Sequence, residues 1–594
     1  MNEALNSNLK EIEKHQPHLF RVLIETLNQG VSGFELKEGS SSLELFEGSS
    51  KIDSTSNEFW KDVQLSPASH LMIEGFGLGL GLQKALSLNP KSILVLEPSA
   101  KRFIYSLSLT HFGDIWQNPK IFWFVGMHPE NAFVFYQSIY QKPPRSLSMD
   151  DWFLIEHPVL SKMYSGFFDQ IKDEFQAARN QIRLSYGSLS DSLWGFRNVI
   201  ENINFIENTS GITEIRDEYV GDPAIIVSAG PSLKKSLPKI KELKDKVLII
   251  ATDATVSLLL KAEIIPDFVC TLERGMGSKK YFEAITENLK APLVAYPHVP
   301  KEVLAAYPGP KLCVYRDYSY YLYMESQTSR GIMPSSSSVA HMCLRLADYL
   351  GCSEIVLVGQ DLSFDPESFQ SHVDGIAYSE WQENQTQVEL EKKLAAQNQS
   401  LFWIPGNLIE KVPTNSTYFS FLKEFGFEKT RTRARIWNAT EGGAQIPTIT
   451  WRSLEDLSKD WAVIAKRDLS DEVDSFDEKS NLDFTEIIEI LRSFSSRLEN
   501  LLNQSKGSQN EIKDDQLLRQ VLELIHSAKK EIEKNPIFSA FVLEMNARSY
   551  LDIENEMMQS KMKSARDQLQ VQMKWFREMK DALHQVLDTL PQSK

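Results

Sequence analysis

The chain has 594 residues, a length that calls for three or four domains at roughly 150 residues each. Hydrophobic residues make up 42% and charged residues 24%, which is ordinary globular usage. The formal net charge of −16 opposes binding to nucleic acid or to an anionic membrane surface, although it leaves room for a nucleotide held by backbone amides.

The first residues, MNEALNSNLKEIEKHQ, contain no apolar signal core. The longest apolar stretch, Val247–Cys270, is broken by Asp253, Lys261, Glu263 and Asp267, so it is not a membrane span. Cys270, Cys313, Cys343 and Cys352 form no CxxC pair and read as small buried hydrophobes in a reducing compartment. A cytoplasmic location is expected, and the triplet Asn438-Ala439-Thr440 is then a chance match to a glycosylation acceptor.

In chain order, residues 1–210 mix helices and strands and read as an N-terminal α/β domain. His70–Glu74 and Ser92–Glu97 are short apolar strands flanking a helix, Leu80–Leu88. Between them Gly75, Gly77, Gly79 and Gly81 follow a strand and open a helix, and the next strand ends in Glu97. That is the context of a dinucleotide or methyl-donor site, in which glycines admit a phosphate and an acid meets ribose hydroxyls. Leu80 or Leu82 stands where the third glycine of that pattern belongs. A degenerate Rossmann-like half that only packs is therefore the better reading, with a second nucleotide loop at Gly75, Gly77, Gly79 and Glu97 as the alternative.

Residues 211–465 form the expected central domain. Ala224–Ser228, Val247–Ala251, Phe268–Leu272, Leu293–Tyr296, Leu312–Tyr315 and Glu354–Val358 read as strands with helices between most of them, which predicts a mostly parallel sheet covered on both faces. Residues 380–460 look irregular, with turns at Pro405-Gly406, Glu441-Gly442-Gly443 and Pro447, and are expected to wrap this domain. Residues 468–479 form a charged linker. Over 480–594 Pro and Gly become rare, and two series at helical spacing (Ile487, Ile490, Leu491, Phe494, Leu498, Leu501, Leu502, and Leu517, Val521, Leu522, Leu524, Ile525) predict a helical bundle. No internal repeat is apparent.

The chemistry concentrates in the central domain. The first strand runs into Ala229-Gly230-Pro231-Ser232 and a helix. Gly230 permits a tight turn, Pro231 suits a first helical position, and the helix start offers N–H groups to a phosphate. Thr252, Asp253, Glu273 and Asp361 lie at carboxyl ends of strands, where parallel sheets open a ligand crevice. Pro334 and four serines start a helix, Val339–Leu350. One serine suffices for its cap; Ser336, Ser337 and Ser338 together could hold an anion. His341 reads as structural, and His372 lies in a polar loop after Asp361.

IIVSAGPSLKK, IIPDFVCTLE, SSSSVAHMCLRLADYLGCSEIVLVGQDLSF and NATEGGAQIP, in that order, resemble the motor accessory factor (Maf) family of flagellin glycosyltransferases. The GFGLGLGLQ…LVLEP segment and the helical C-terminus match the layout of that family. The central domain is also similar to bacterial sialyltransferases, except that Ser228 replaces the first glycine of their Gly-x-Gly-Pro-Ser loop. The resemblance implies a sialyltransferase-like Rossmann domain between an N-terminal degenerate Rossmann-like domain and a C-terminal α-helical domain. It further implies transfer of a nonulosonic acid (pseudaminic or legionaminic type) from a CMP-activated donor to Ser/Thr hydroxyls of flagellin, in support of motility. Under it Gly230–Ser232 holds nucleotide phosphate, the serine turn holds nucleotide or sugar carboxylate, and Asp361, Glu273 or His372 takes the acceptor proton. Asp361 is favoured because a strand-end carboxylate is held more rigidly than a loop histidine. No metal is obligatory, and Mg2+ bridging phosphate and acid is compatible.

The same domain resembles archaeal pterin pyrophosphokinases, for which ATP, Mg2+ and a pterin would occupy the site, with Asp253, Glu273 and Asp361 on the metal. A third reading is a non-catalytic flagellin-binding accessory protein.

Overall fold

Strands apolar at every position belong in a sheet buried on both faces, because a side chain on either side then meets a helix. Two such sheets organise the computed structural model, which describes residues 3–38, 43–55, 63, 70–140, 152–185, 189–286, 288–334, 337–376, 385–397, 399–466, 482–506, 577, 580, 581 and 583–589. The chain parts near residue 187 into two units. Among the described residues no helix is long and apolar enough to cross a membrane.

The first unit opens with two helices, Glu3–His15 and Pro17–Asn28, and an antiparallel sheet of β1 (Phe34–Glu38), β2 (Leu43–Glu47) and β3 (Ser50–Ser54). A parallel sheet follows, built from β4 (His70–Glu74), β5 (Ser92–Glu97), β6 (Ile121–Val125) and β7 (Trp152–Glu156) in the order β6-β5-β4-β7. Alternate residues of β4 and β5 feed two cores. Leu71, Ile73, Ile93 and Val95 pack with the first two helices and with Ala100–Leu109, whereas Met72, Leu94 and Leu96 pack with Ala132–Tyr140 and Ser165–Ser185. The expected strands match their observed bounds, and the expected helix ends one residue early, at Ser87.

The second unit holds a larger parallel sheet. Its strands are β8 (Pro223–Val227), β9 (Leu248–Thr252), β10 (Phe268–Thr271), β11 (Leu293–Ala295) and β12 (Lys311–Cys313), joined later by β15 (Glu354–Val358) and β18 (Arg435–Asn438). The order is β12-β11-β10-β9-β8-β15-β18, with every pairing parallel. The chain order reverses between β8, which pairs with β9, and its other neighbour β15, so a crevice opens at their carboxyl ends. Ala224, Ile226, Leu248, Ile250, Ile355 and Leu357 face the helix Val339–Tyr349. Ile225, Val227, Ile249, Ala251, Val356 and Val358 face the core that holds Leu233 and Ile240 of helix Leu233–Leu243. All four cysteines are buried and free, as their apolar surroundings predict.

Two expectations change. The strand expected over Leu312–Tyr315 is two: β12 stays in the large sheet, whereas β13 (Tyr315–Arg316) leaves it to pair with β14 (Ile332–Met333). The segment read as irregular, 380–460, contains a helix Gln387–Ala396 started by a Thr386/Glu389 capping box. It also contains a hairpin of β16 (Leu401–Pro405) and β17 (Lys411–Asn415), the 16-residue helix Ser416–Arg431, and β18 itself. Of the expected C-terminal bundle, the helix Thr485–Lys506 is observed, with Ile488 and Leu491 buried. The second apolar series, Leu517 to Ile525, lies outside the described residues.

Candidate functional site

The carboxyl ends of β8, β9, β10 and β15 open on a cavity of about 510 Å³. β8 delivers Ser228 and Gly230, β9 Thr252 and Asp253, and β15 Gly359, Gln360 and Asp361. Beyond β10 come Glu273, Gly275 and Gly277. Ser337, Ser338, Val339 and Ala340, the start of the Val339–Tyr349 helix, form another wall, and Ser371, His372, Tyr418 and Phe421 also line it. Pro231 and Ser232 are not among the lining residues. Ser336 lies outside the described residues.

Asp361 is the structural centre of this end of the sheet. Its Oδ2 accepts from Ser232 Oγ at 2.8 Å and its Oδ1 from the Ser232 amide at 3.2 Å. The start of the Leu233–Leu243 helix, expected to cradle phosphate, therefore already bonds a carboxylate of the chain. The Gly230 amide is likewise given to the Gly359 carbonyl, at 2.8 Å. Gly359 has φ +65°, a conformation that side chains resist, and a Cβ there would strike the Ser228 carbonyl. The Glu441-Gly442-Gly443 turn lies over Asp361: the Ala444 amide donates to the Asp361 carbonyl at 2.7 Å, and a Cβ on Gly443 would meet the Asp361 backbone. Asn407, at the tip of the β16–β17 hairpin, fixes the turn by donating from Nδ2 to the Gly442 carbonyl at 2.7 Å.

The three acids differ in their surroundings. Burial pushes the Asp361 carboxyl up to about 6 against the pull of its Ser232 bonds. Asp253 accepts from Thr271 Oγ1 at 2.7 Å and from the Ala254 amide at 2.8 Å. Burial, with repulsion from Glu273 adding, still raises it to about 7. Glu273 is exposed at the cavity wall. Desolvation moves its carboxyl above the usual range, and Arg274 and Arg316 oppose the shift.

His372 is brought into the lining with its Nδ1 2.8 Å from Ser371 Oγ, and desolvation lowers it to about 4, so the ring is neutral at physiological pH. His341 is fully buried, 2.7 Å from Ser338 Oγ and stacked on Phe425 at 3.9 Å, the structural role expected of it. Tyr418 and Phe421 were not legible as site residues because they sit on the helix in the segment that reads as irregular. Gln360 takes the Ser228 hydroxyl at 2.7 Å, so Ser228, which stands where sialyltransferases carry glycine, has a partner across the strands.

Among the described residues no group of three His, Cys, Asp or Glu side chains is arranged to hold a metal. Mg2+ carried on the phosphates of a nucleotide needs only one or two protein carboxylates, and Asp253 and Glu273 line the cavity.

In the first unit Gly75, Gly77, Gly79 and Glu97 do come together, but the loop is closed by its own chain. Glu97 accepts from the Phe76 and Ser99 amides at 3.0 and 2.8 Å and pairs with Arg102 Nη2 at 2.5 Å. Asp53 accepts from the Leu78 amide at 2.7 Å, and its Oδ2 is 3.2 Å from His157 Nε2. A side chain on Gly77 would run into both Asp53 and His157. The glycines here admit buried side chains of the protein to the loop.

Residues 197–367 match the family model described as 6-hydroxymethylpterin diphosphokinase MptE-like. The chain is 25% identical over 230 residues to an uncharacterized protein of Treponema pallidum (strain Nichols), a match that covers 36% of this chain and only 39% of that protein. Among solved structures it is similar to the MAf glycosyltransferase of Magnetospirillum magneticum AMB-1, with a TM-score of 0.51 and 16% identity, covering 99% of this chain and 95% of that one. Over nearly its whole length, therefore, the chain has the fold of a Maf glycosyltransferase.

Proposed function

We propose that the chain is a glycosyltransferase whose donor binds in the cavity at the carboxyl end of the large parallel sheet, and that it moves a nonulosonic acid from a CMP-activated donor to Ser/Thr hydroxyls of flagellin in the cytoplasm. The observation that carries this reading is the cavity itself. One pocket, placed where parallel sheets bind nucleotides, brings together buried acids poised near neutrality and the start of an 11-residue helix. With the Ser232 amide committed to Asp361 and the Ser337 amide to Glu424 Oε1 at 3.2 Å, the phosphate fits best at the Val339–Ala340 helix start, which faces the cavity. The acceptor oxygen attacks the anomeric carbon, the nucleotide phosphate leaves with the bonding electrons, and a carboxylate takes the hydroxyl proton. Asp253 is the better base, since its pKa of about 7 matches the task. Asp361, held through Ser232 and the glycine turn, positions the loop.

The pterin diphosphokinase reading draws on the family match over 197–367, which includes Asp253, Glu273 and Asp361. It differs in requiring Mg2+-ATP, whose metal would be held by one or two of these acids together with the phosphates. Calorimetry with CMP, UDP and ATP separates the two. Metal-independent CMP binding is expected, and it should be abolished by Gly277→Trp. Gly277 lines the cavity, and a Cβ added to it would meet nothing within 4 Å, so an indole can stand at the cavity wall without straining the fold. Binding of ATP alone, and only with Mg2+, would replace this reading with the diphosphokinase one.

A further inference from the structure

The wall of the cavity that follows β10 contains two glycines the fold does not need. Gly275 has φ −94° and ψ 161°, a conformation open to any residue, and a Cβ there would meet only Trp194 Cη2, at an ordinary contact distance of 3.5 Å. Gly277 is free of positive φ, and the space around its Cα is open. Neither a turn nor close packing accounts for the missing side chains, and both residues face the cavity. Beside Gly275, and outside the cavity's lining, stands Trp194, on the helix Leu189–Glu201. It is 48% exposed, an unusual state for the largest apolar side chain.

This helix is fastened to the wall. Asn198 Nδ2 donates to the Arg274 and His298 carbonyls at 3.1 and 2.8 Å, and Arg274 forms an ion pair with Asp191. The helix that carries the indole is therefore held in fixed relation to a wall whose backbone is bare. A bare backbone flanked by an exposed aromatic side chain accommodates a flat ring.

Resting on the nucleotide-binding reading above, we infer that Trp194 and the Gly275–Gly277 wall form the subsite for the nucleobase, with the base stacked on the indole. Stacking of this kind tolerates any base, so the contact sets affinity and leaves base identity to polar groups.

The test compares a nucleotide with the same molecule lacking its base. Binding of CMP, UMP, AMP and ribose 5-phosphate is measured by calorimetry on the full chain and on Trp194→Ala and Trp194→Phe. Whichever nucleotide the wild type binds should weaken roughly 10- to 100-fold in Trp194→Ala, with Trp194→Phe intermediate and ribose 5-phosphate unchanged. Unaltered nucleotide affinity in Trp194→Ala would overturn the subsite while leaving the nucleotide reading in place. An equal loss for nucleotide and ribose 5-phosphate would overturn it too, by marking Trp194 as a support of the wall. Absence of nucleotide binding by the wild type would sink the subsite and the underlying reading together.

Discussion

Asp253→Asn is expected to make the protein more stable and inactive. The sign follows from linkage. The Asp253 carboxyl sits near 3.8 when the chain is unfolded and at about 7 when folded. Between those values the folded state binds a proton that the unfolded state has released, so stability falls as pH rises through the window and stays reduced above it. The amide never ionises and escapes that loss. The variant should match the wild type near pH 4 and exceed it by on the order of 4 kcal/mol at pH 8. Denaturant titrations at the two pH values check this, and equal stability at both would contradict the burial of a near-neutral carboxyl. Transfer should fall by about 10²–10⁴-fold, the usual worth of a general base. A gain in stability paired with a loss of activity is what a strained functional group leaves behind.

The second large effect is expected in the first unit. Arg102 and Glu97 are both fully buried. Burial disfavours the Arg102 charge, and the attraction of Glu97 more than offsets it. Arg102→Met leaves the Glu97 carboxylate buried without its cation, and also frees Glu47. Such a break costs about 3–5 kcal/mol. Urea unfolding should register this loss, while CMP affinity in the second unit stays at the wild-type value. If nucleotide affinity fell in a folded variant, the glycine loop would be more than packing.

Much of this architecture was legible in the sequence because buried parallel strands are written as unbroken apolar runs. His70–Glu74, Ser92–Glu97 and Glu354–Val358 have the observed bounds, and the acids at strand ends, Asp253 and Asp361, reach the cavity. What the sequence hid was the use made of the loops. Gly-Pro-Ser before a helix reads as a phosphate cradle whether or not a carboxylate from a distant strand fills it, and Asp361 does so from 129 residues away. Gly75–Gly81 reads as a cofactor loop until Glu97 is seen to be bonded to Arg102. The helix Ser416–Arg431 escaped notice because aromatic residues fall on several of its faces and Gly426 interrupts it, so no clean apolar stripe marks it. The Gly442-Gly443 turn could be matched to a family, but its physical task, covering Asp361, depends on a contact that spacing does not reveal.

The most direct test of the central claim is the mass of the acceptor. Purified flagellin is incubated with the chain and a CMP-activated nonulosonic acid, and its peptides are weighed. Added nonulosonic acid on serine or threonine is expected with the wild type, and little or none with Asp253→Asn. Unmodified flagellin, recovered under conditions in which the donor is bound in the cavity, would contradict that claim.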